Sequence, residues 1–285
     1  MDSLLARASR ADVQIDPFPH VVIADALPVP LYRTLSDEFP AATDLGDNER
    51  RNLKASAAMG DCRVSETWRT FIAYHTSPDF MHEVHALFRG IPGVLWGSRL
   101  PREFPRVRKI GRGSTTRDQS ARQMRYHAFA DMDVATQAGG IADQEPIGPH
   151  TDAVHKMFSC LFYLRADDDQ STGGALYLSR WSVPGSDQEI ATRQSRGEIA
   201  ARSHTTIVRR VPYASNVAVI FPNSIRAVHG VDLRHGGRVP RRFCFMSLTD
   251  PNWNSLEPRW RRRLRLVLGR TLRTITLGSM AVRTR

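Results

Sequence analysis

The chain has 285 residues, 41% of them hydrophobic and 24% charged, a composition that supports a buried core and excludes a fully disordered chain. Its formal charge of +11 points to nucleic acid only until the charge is located: residues 258–285 hold nine arginines with no lysine or acid, and setting them aside leaves +2 on the rest. Nucleic acid is therefore not expected as a partner. Three cysteines (Cys62, Cys160, Cys244), two of them in apolar runs, exclude a paired disulfide framework and suggest an intracellular, cytoplasmic chain.

Taken in order, MDSLLARASRADVQ lacks a long apolar core, so no secretory leader is expected. Residues 17–27 predict a short strand, and Pro30 the entry to a helix with Leu31, Leu35 and Phe39 on one face. Residues 40–64 read as polar and irregular. Ser65 predicts the cap of a helix carrying Trp68, Phe71 and Ile72. Ser77-Pro78 predicts another, with Phe80, Val84, Leu87 and Phe88 as its stripe and Gly90 as its stop. Residues 102–125 hold eight Arg or Lys against Glu103 and Asp118, a weaker basic stretch.

From about residue 120 the pattern becomes short strands: RQMRYHAF, KMFSCLFYL, GGALYL, HTTIVRRV, SNVAVIF, AVHGVDL and RRFCFMSL. Such a series predicts a β-sandwich or barrel and not alternating β-α units. The longest uncharged run, residues 211–225, has 15 residues and two prolines, too short and broken to cross a bilayer. Three regions result: a helical support over 1–119 within the same domain, a β core over 120–250, and a basic tail over 251–285.

In IGPHTDAVHKMFSCLFYL (147–164), His150 and Asp152 are spaced to share one face of an extended segment. His229 supplies a third donor from an apolar frame, with His155, His204 and His235 as competitors. Two imidazoles and a carboxylate leave adjacent positions open on a metal, the facial triad of non-haem iron oxygenases. Asp131-Met-Asp133 has the form of a glycosyltransferase metal motif, but no nucleotide-sugar pattern surrounds it.

The order of features around this triad resembles the prolyl-hydroxylase-like dioxygenases that depend on Fe(II) and 2-oxoglutarate. His-x-Asp precedes a strand ending FYL (162–164), an acidic loop and Gly-Gly-x-Leu strand follow (167–178), and His229-Gly230-Val231 and RRFCFMSL (241–248) come after. The resemblance covers residues 120–250. It implies a double-stranded β-helix core of jelly-roll or cupin-like form; with the N-terminal helices and the basic C-terminal helix read from the residue pattern, a mainly β fold with flanking helices is expected.

It also implies Fe(II), 2-oxoglutarate and O2, with His150, Asp152 and His229 as metal ligands and catalytic residues. Asp152, where a halogenase has Gly or Ala, favours hydroxylation or desaturation. Arg241 and Arg242 point to opposite faces, and Arg242 is the expected anchor of the cosubstrate carboxylate because the small Cys244 follows two places on. Tyr163 is expected to assist it, and Tyr126 and Lys156 to meet the substrate.

That substrate is expected to be a small molecule or glycan, with the arginines of 102–125 leaning towards an anionic one. In the tail, Trp260, Leu264, Val267, Leu268, Thr271 and Ile275 would form a stripe opposite most of the arginines. Peripheral docking on an anionic membrane is the expectation there, and packing on the N-terminal helices the alternative. Two other classes stay open: a cupin-type metalloenzyme that does not use 2-oxoglutarate, and a non-catalytic ligand-binding module. Oligomeric state is not legible.

Overall fold

The computed structural model describes residues 1–40, 50–92, 94, 110–112, 128–137, 148–153, 156–185, 189–190, 204–236 and 239–249. A short 3-10 turn at Arg10–Asp12 precedes β1 (Val21–Ile23) and α1 (Val29–Asp37). Next come β2 (Arg50–Lys54), α2 (Ala55–Ala58), α3 (Glu66–His75) and α4 (Pro78–Phe88). Ser65 Oγ accepts from Trp68 N–H and Ser77 Oγ from Phe80 N–H, so both expected caps are in place. Gly90 sits at φ 73°, the left-handed geometry that ends α4.

The remaining elements are strands. They are β3 (Ile110–Arg112), β4 (Ala128–Gln137), β5 (Lys156–Tyr163), β6 (Thr172–Gly173), β7 (Leu176–Trp181) and β8 (Thr205–Val211). Then follow β9 (Val217–Pro222), β10 (Val228–Val231), β11 (Arg234–His235) and β12 (Arg241–Thr249). Two sequence expectations need correction. The first core strand is described over Ala128–Gln137 where 122–129 was expected, and the stretch read as irregular contains β2 and α2. Asp131 and Asp133 interrupt the apolar pattern of β4, which hides it from a hydrophobicity reading.

One sheet has the order β1-β9-β5-β12-β4-β2, with β3 parallel to β4; a second has β10-β7-β8. His150 extends the second sheet by an antiparallel bridge to His229. In chain order β4, His150, β5, β7, β8, β9, β10 and β12 pass between the two sheets, which makes the core a double-stranded β-helix. Among the described residues no helix is long and apolar enough to cross a membrane.

The large sheet buries both faces. On β12, Cys244, Met246 and Leu248 join Cys160, Phe162, Met132 and Val134 against Trp68, Phe71, Phe80 and Phe88 of the helices. The alternate residues, with Phe243, Tyr163, Leu161, Val219 and Phe221, meet Leu176, Leu178 and Val211 of the small sheet. This two-sided burial explains why KMFSCLFYL is apolar almost throughout. It also fixes strand parity: odd positions of β12 face into the β-helix and even positions face the helices.

His75 ties the N-terminus to this helical layer. Its Nδ1 lies 2.8 Å from Phe71 O, and its Nε2 accepts from Leu4 N–H at 3.1 Å. Burial pushes the imidazole from 6.5 down to about 3, against the opposing effect of the Phe71 bond. Because the folded value lies below the unfolded one, unfolding takes up a proton between them. Stability should therefore fall as pH drops from 6.5 towards 3, by up to about 1.4 kcal/mol per unit. Denaturant titrations at pH 7 and 5 should show this loss, and His75→Leu should reduce it.

Candidate metal centre

The site begins with one pair of backbone hydrogen bonds. His150 N–H donates to His229 O at 2.8 Å and His229 N–H donates to His150 O at 2.9 Å. Residues opposed in this way project to the same face, and the two imidazole centroids are 4.4 Å apart. Each ring is oriented alike: Nδ1 of His150 lies 2.8 Å from Gly148 O, and Nδ1 of His229 lies 2.9 Å from Ala227 O. A carbonyl can only accept, so Nδ1 carries the proton in both rings. Nε2 is left with its lone pair, the state a metal ligand needs.

Asp152 lies beyond the bridged position, and its orientation comes from β5. Ser159 Oγ donates to Asp152 Oδ2, and Lys156 Nζ lies 3.0 Å from Oδ1. Asn223 Nδ2 donates to Ser159 Oγ at 3.2 Å, so the serine is itself held from β9 onwards. Asp152 Oδ2 is 3.7 Å from His229 Nε2. Ligand atoms of His150, Asp152 and His229 all lie within 4.8 Å of one another, and among the described residues no other such His/Cys/Asp/Glu group was found.

Charge states suit a divalent ion. Burial pushes His229 down to about 4, partly opposed by Asp152. For Asp152, burial works upward, but His229, Lys156 and the Ser159 hydrogen bond outweigh it and hold the carboxyl at about 2. Near neutral pH the set offers a neutral imidazole and an ionised carboxylate. Two nitrogen donors and one oxygen donor are the donor set of the facial triad, so the residues present fit iron.

The sequence expectation for the anchor needs correction. Arg242 is on an even position of β12, and its guanidinium stacks 5.2 Å from the Phe39 ring on the helical side. Arg241 points inward and is 4% exposed, with its Cζ 5.0 Å from the Tyr163 ring, 5.1 Å from Tyr213 and 5.3 Å from Phe243. Arg241 Nε and Nη2 and Tyr163 Oη are buried without hydrogen-bond partners. Buried donors of this kind are costly unless a ligand accepts from them.

Tyr126 and His155 lie outside the described residues. Lys156 is drawn to Asp152, with its ammonium also 4.3 Å from the Phe245 ring, and is committed to the centre instead of standing free in a loop. His204 and His235 do not join the cluster. Asp131 and Asp133 both lie near Lys54, whose Nζ is 3.5 Å from Asp131 Oδ2 and 2.5 Å from Asp133 Oδ1. Sequence reasoning missed Ser159 and Asn223. Ser159 left a signal, as the one serine within KMFSCLFYL.

Gly230 was legible only as part of a motif, and the structure gives its reason. It pairs with Tyr177 across β10 and β7, and an added Cβ would sit 2.2 Å from Tyr177 Oη. Gly230→Ala should push β10 away from β7, destabilise the fold by about 1–3 kcal/mol, and displace the adjacent His229. Metal titration and thermal melting should both register it, and adding Tyr177→Leu should recover part of each.

No protein-family model matches the sequence, and no curated protein matches it. Solved structures similar to the chain include a prolyl 4-hydroxylase from Phytophthora capsici, 13% identical over 87% of this chain and 65% of that one, with TM-score 0.45. A Pseudomonas putida prolyl-4-hydroxylase is 13% identical over 85% of this chain and 98% of that one, with TM-score 0.43. A Trichoplax adhaerens prolyl hydroxylase, solved with a hypoxia inducible factor peptide fragment, is 12% identical over 85% and 89%, with TM-score 0.44.

Proposed function

We propose that the protein is an Fe(II)- and 2-oxoglutarate-dependent dioxygenase that hydroxylates an unactivated C–H bond of a small molecule or glycan. The observation that carries this reading is the triad itself: two imidazoles with Nδ1 tied to backbone carbonyls, converging with a carboxylate inside a double-stranded β-helix. His150 and His229 would hold the ion through Nε2, and Asp152 through its carboxylate. Bound iron would supply the activation of dioxygen, with one oxygen atom passing to the C–H bond and the other to succinate as 2-oxoglutarate loses CO2.

The chain's own residues do the positioning. Ser159 and Lys156 fix the Asp152 carboxylate and disperse part of its charge. Arg241 and Tyr163 receive the distal carboxylate of 2-oxoglutarate in a pocket walled by Phe243 and Tyr213, where water is excluded and a charge-assisted pair is strong. Tyr126, from a segment close before β4, is proposed to line the substrate side. A cytoplasmic location with the basic tail docked on an anionic membrane surface completes the reading; residues 251–285 lie outside the described residues.

The test is succinate formation in the presence of Fe(II), 2-oxoglutarate and oxygen across a panel of envelope sugars, amino acids and metabolite extracts. One class of compound should raise succinate release and gain one oxygen atom by mass. Turnover indifferent to 2-oxoglutarate would instead favour a metalloenzyme of another kind.

A further inference from the structure

Three guanidinium groups surround one aromatic ring. Cζ of Arg165, Arg234 and Arg241 lies 5.6, 5.7 and 5.1 Å from the Tyr213 centroid. One carboxylate, Asp169, is set against them, 2.8 Å from Arg234 Nη2 and 3.8 Å from Arg165 Nε. Arg165 is otherwise occupied by backbone, donating to Tyr213 O, Asp169 O and Ser171 O. Arg234 is held from one side, with Nε donating to Ser171 Oγ at 2.7 Å and Nη2 to Val239 O at 2.6 Å.

Its remaining nitrogen, Nη1, is buried and has no hydrogen-bond partner, as is true of Arg241 Nε and Nη2 and of Tyr163 Oη. Arg234 is also placed with care. It pairs with Gly173 across β11 and β6, and an added Cβ at Gly173 would meet Leu233 O at 2.1 Å, so the ribbon closes only with glycine there. A rigidly mounted guanidinium with one buried, unused donor calls for an acceptor. So does the neighbouring Arg241.

We propose that Arg234 is a second binding residue for the distal carboxylate of the 2-oxo acid, donating through Nη1 beside Arg241 and Tyr163. This rests on the reading of 2-oxoglutarate as cosubstrate. A carboxylate offers about four lone-pair sites, enough to accept from both arginines and the tyrosine. Two arginines make the pocket select for charge at that end of the ligand, beyond what one would achieve. Asp169, Ser171 and Val239 act as positioning residues, fixing the fork so that its free edge faces the ligand.

Calorimetric titration of the full chain loaded with Mn(II) tests this, using 2-oxoglutarate and its 5-methyl ester, which lacks the distal charge. Wild type should bind 2-oxoglutarate at least about tenfold more tightly than the ester. Arg234→Gln should weaken 2-oxoglutarate at least about tenfold while leaving the ester unchanged, and Arg234→Lys, which keeps the cation but not the fork, should lie between. If Arg234→Gln fails to fold, Arg234→Lys carries the same comparison. Equal effects on the two ligands, or none on either, would overturn the proposal and leave the cosubstrate reading standing. Wild type that binds Mn(II) but not 2-oxoglutarate would overturn both.

Discussion

Asp152→Ala should abolish tight iron binding and turnover together. Losing an outer partner of a metal ligand commonly costs about 10–100-fold, so losing the ligand itself should cost more than about a hundredfold. Ser159→Ala provides the graded comparison, because it removes the Ser159 hydrogen bond, itself braced by Asn223, and keeps the Asp152 carboxylate. It should lower iron affinity by about 10–100-fold. Asp152→Ala also strands Lys156, whose ammonium loses its carboxylate partner and keeps the Phe245 face. Thermal melting should be measured alongside, so that loss of metal is read on folded protein. Retention of wild-type iron affinity by Asp152→Ala would remove this carboxylate from the site.

The second large effect separates two adjacent arginines. Arg241→Gln should raise the 2-oxoglutarate requirement at least about tenfold, since losing one member of a buried charged pair costs about 2–5 kcal/mol. The requirement for the main substrate should move much less. Arg242→Gln should leave both nearly unchanged, because its guanidinium stacks on Phe39 on the other face of the sheet. Steady-state titrations of both variants decide the matter. An impaired Arg242→Gln beside a normal Arg241→Gln would contradict the inward orientation of Arg241.

That parity shows where sequence reading stopped. The strands β5, β7, β8, β9 and β12 were legible because their apolar runs are bounded by turn residues, and the order of motifs was enough to expect a double-stranded β-helix. Which of two neighbouring arginines faces inward was not. The small residue two places after Arg242, Cys244, suggested that face, yet Cys244 packs among the helices with Met246 and Leu248. Both faces of β12 are buried, so composition does not mark the interior one. Only the register with β4 and β5 sets Phe243 against Tyr163 and so turns Arg241 inward.

The cluster of His150, Asp152 and His229 was legible for a different reason: such residue types are rare in apolar frames and their chemistry is restrictive. What holds them was not. The matched Nδ1 contacts to Gly148 and Ala227 depend on backbone carbonyls, which leave no trace in residue identity. Tyr213, whose hydroxyl accepts from Arg242 N–H at 2.9 Å and whose ring gathers three arginines, also went unnoticed. It sits in a loop between β8 and β9, where no periodicity points to it.

One iron and 2-oxoglutarate are proposed to meet at His150, Asp152 and His229. Anaerobic addition of 2-oxoglutarate to the Fe(II)-loaded protein measures this directly, because chelation of Fe(II) by a 2-oxo acid produces a visible charge-transfer absorption. Wild type and Arg242→Gln should develop the band at similar 2-oxoglutarate concentrations, Arg241→Gln only at about tenfold more or higher, and Asp152→Ala and His229→Ala not at all. No band in the wild type at saturating Fe(II) and 2-oxoglutarate, or a wild-type band in His229→Ala, would contradict the account.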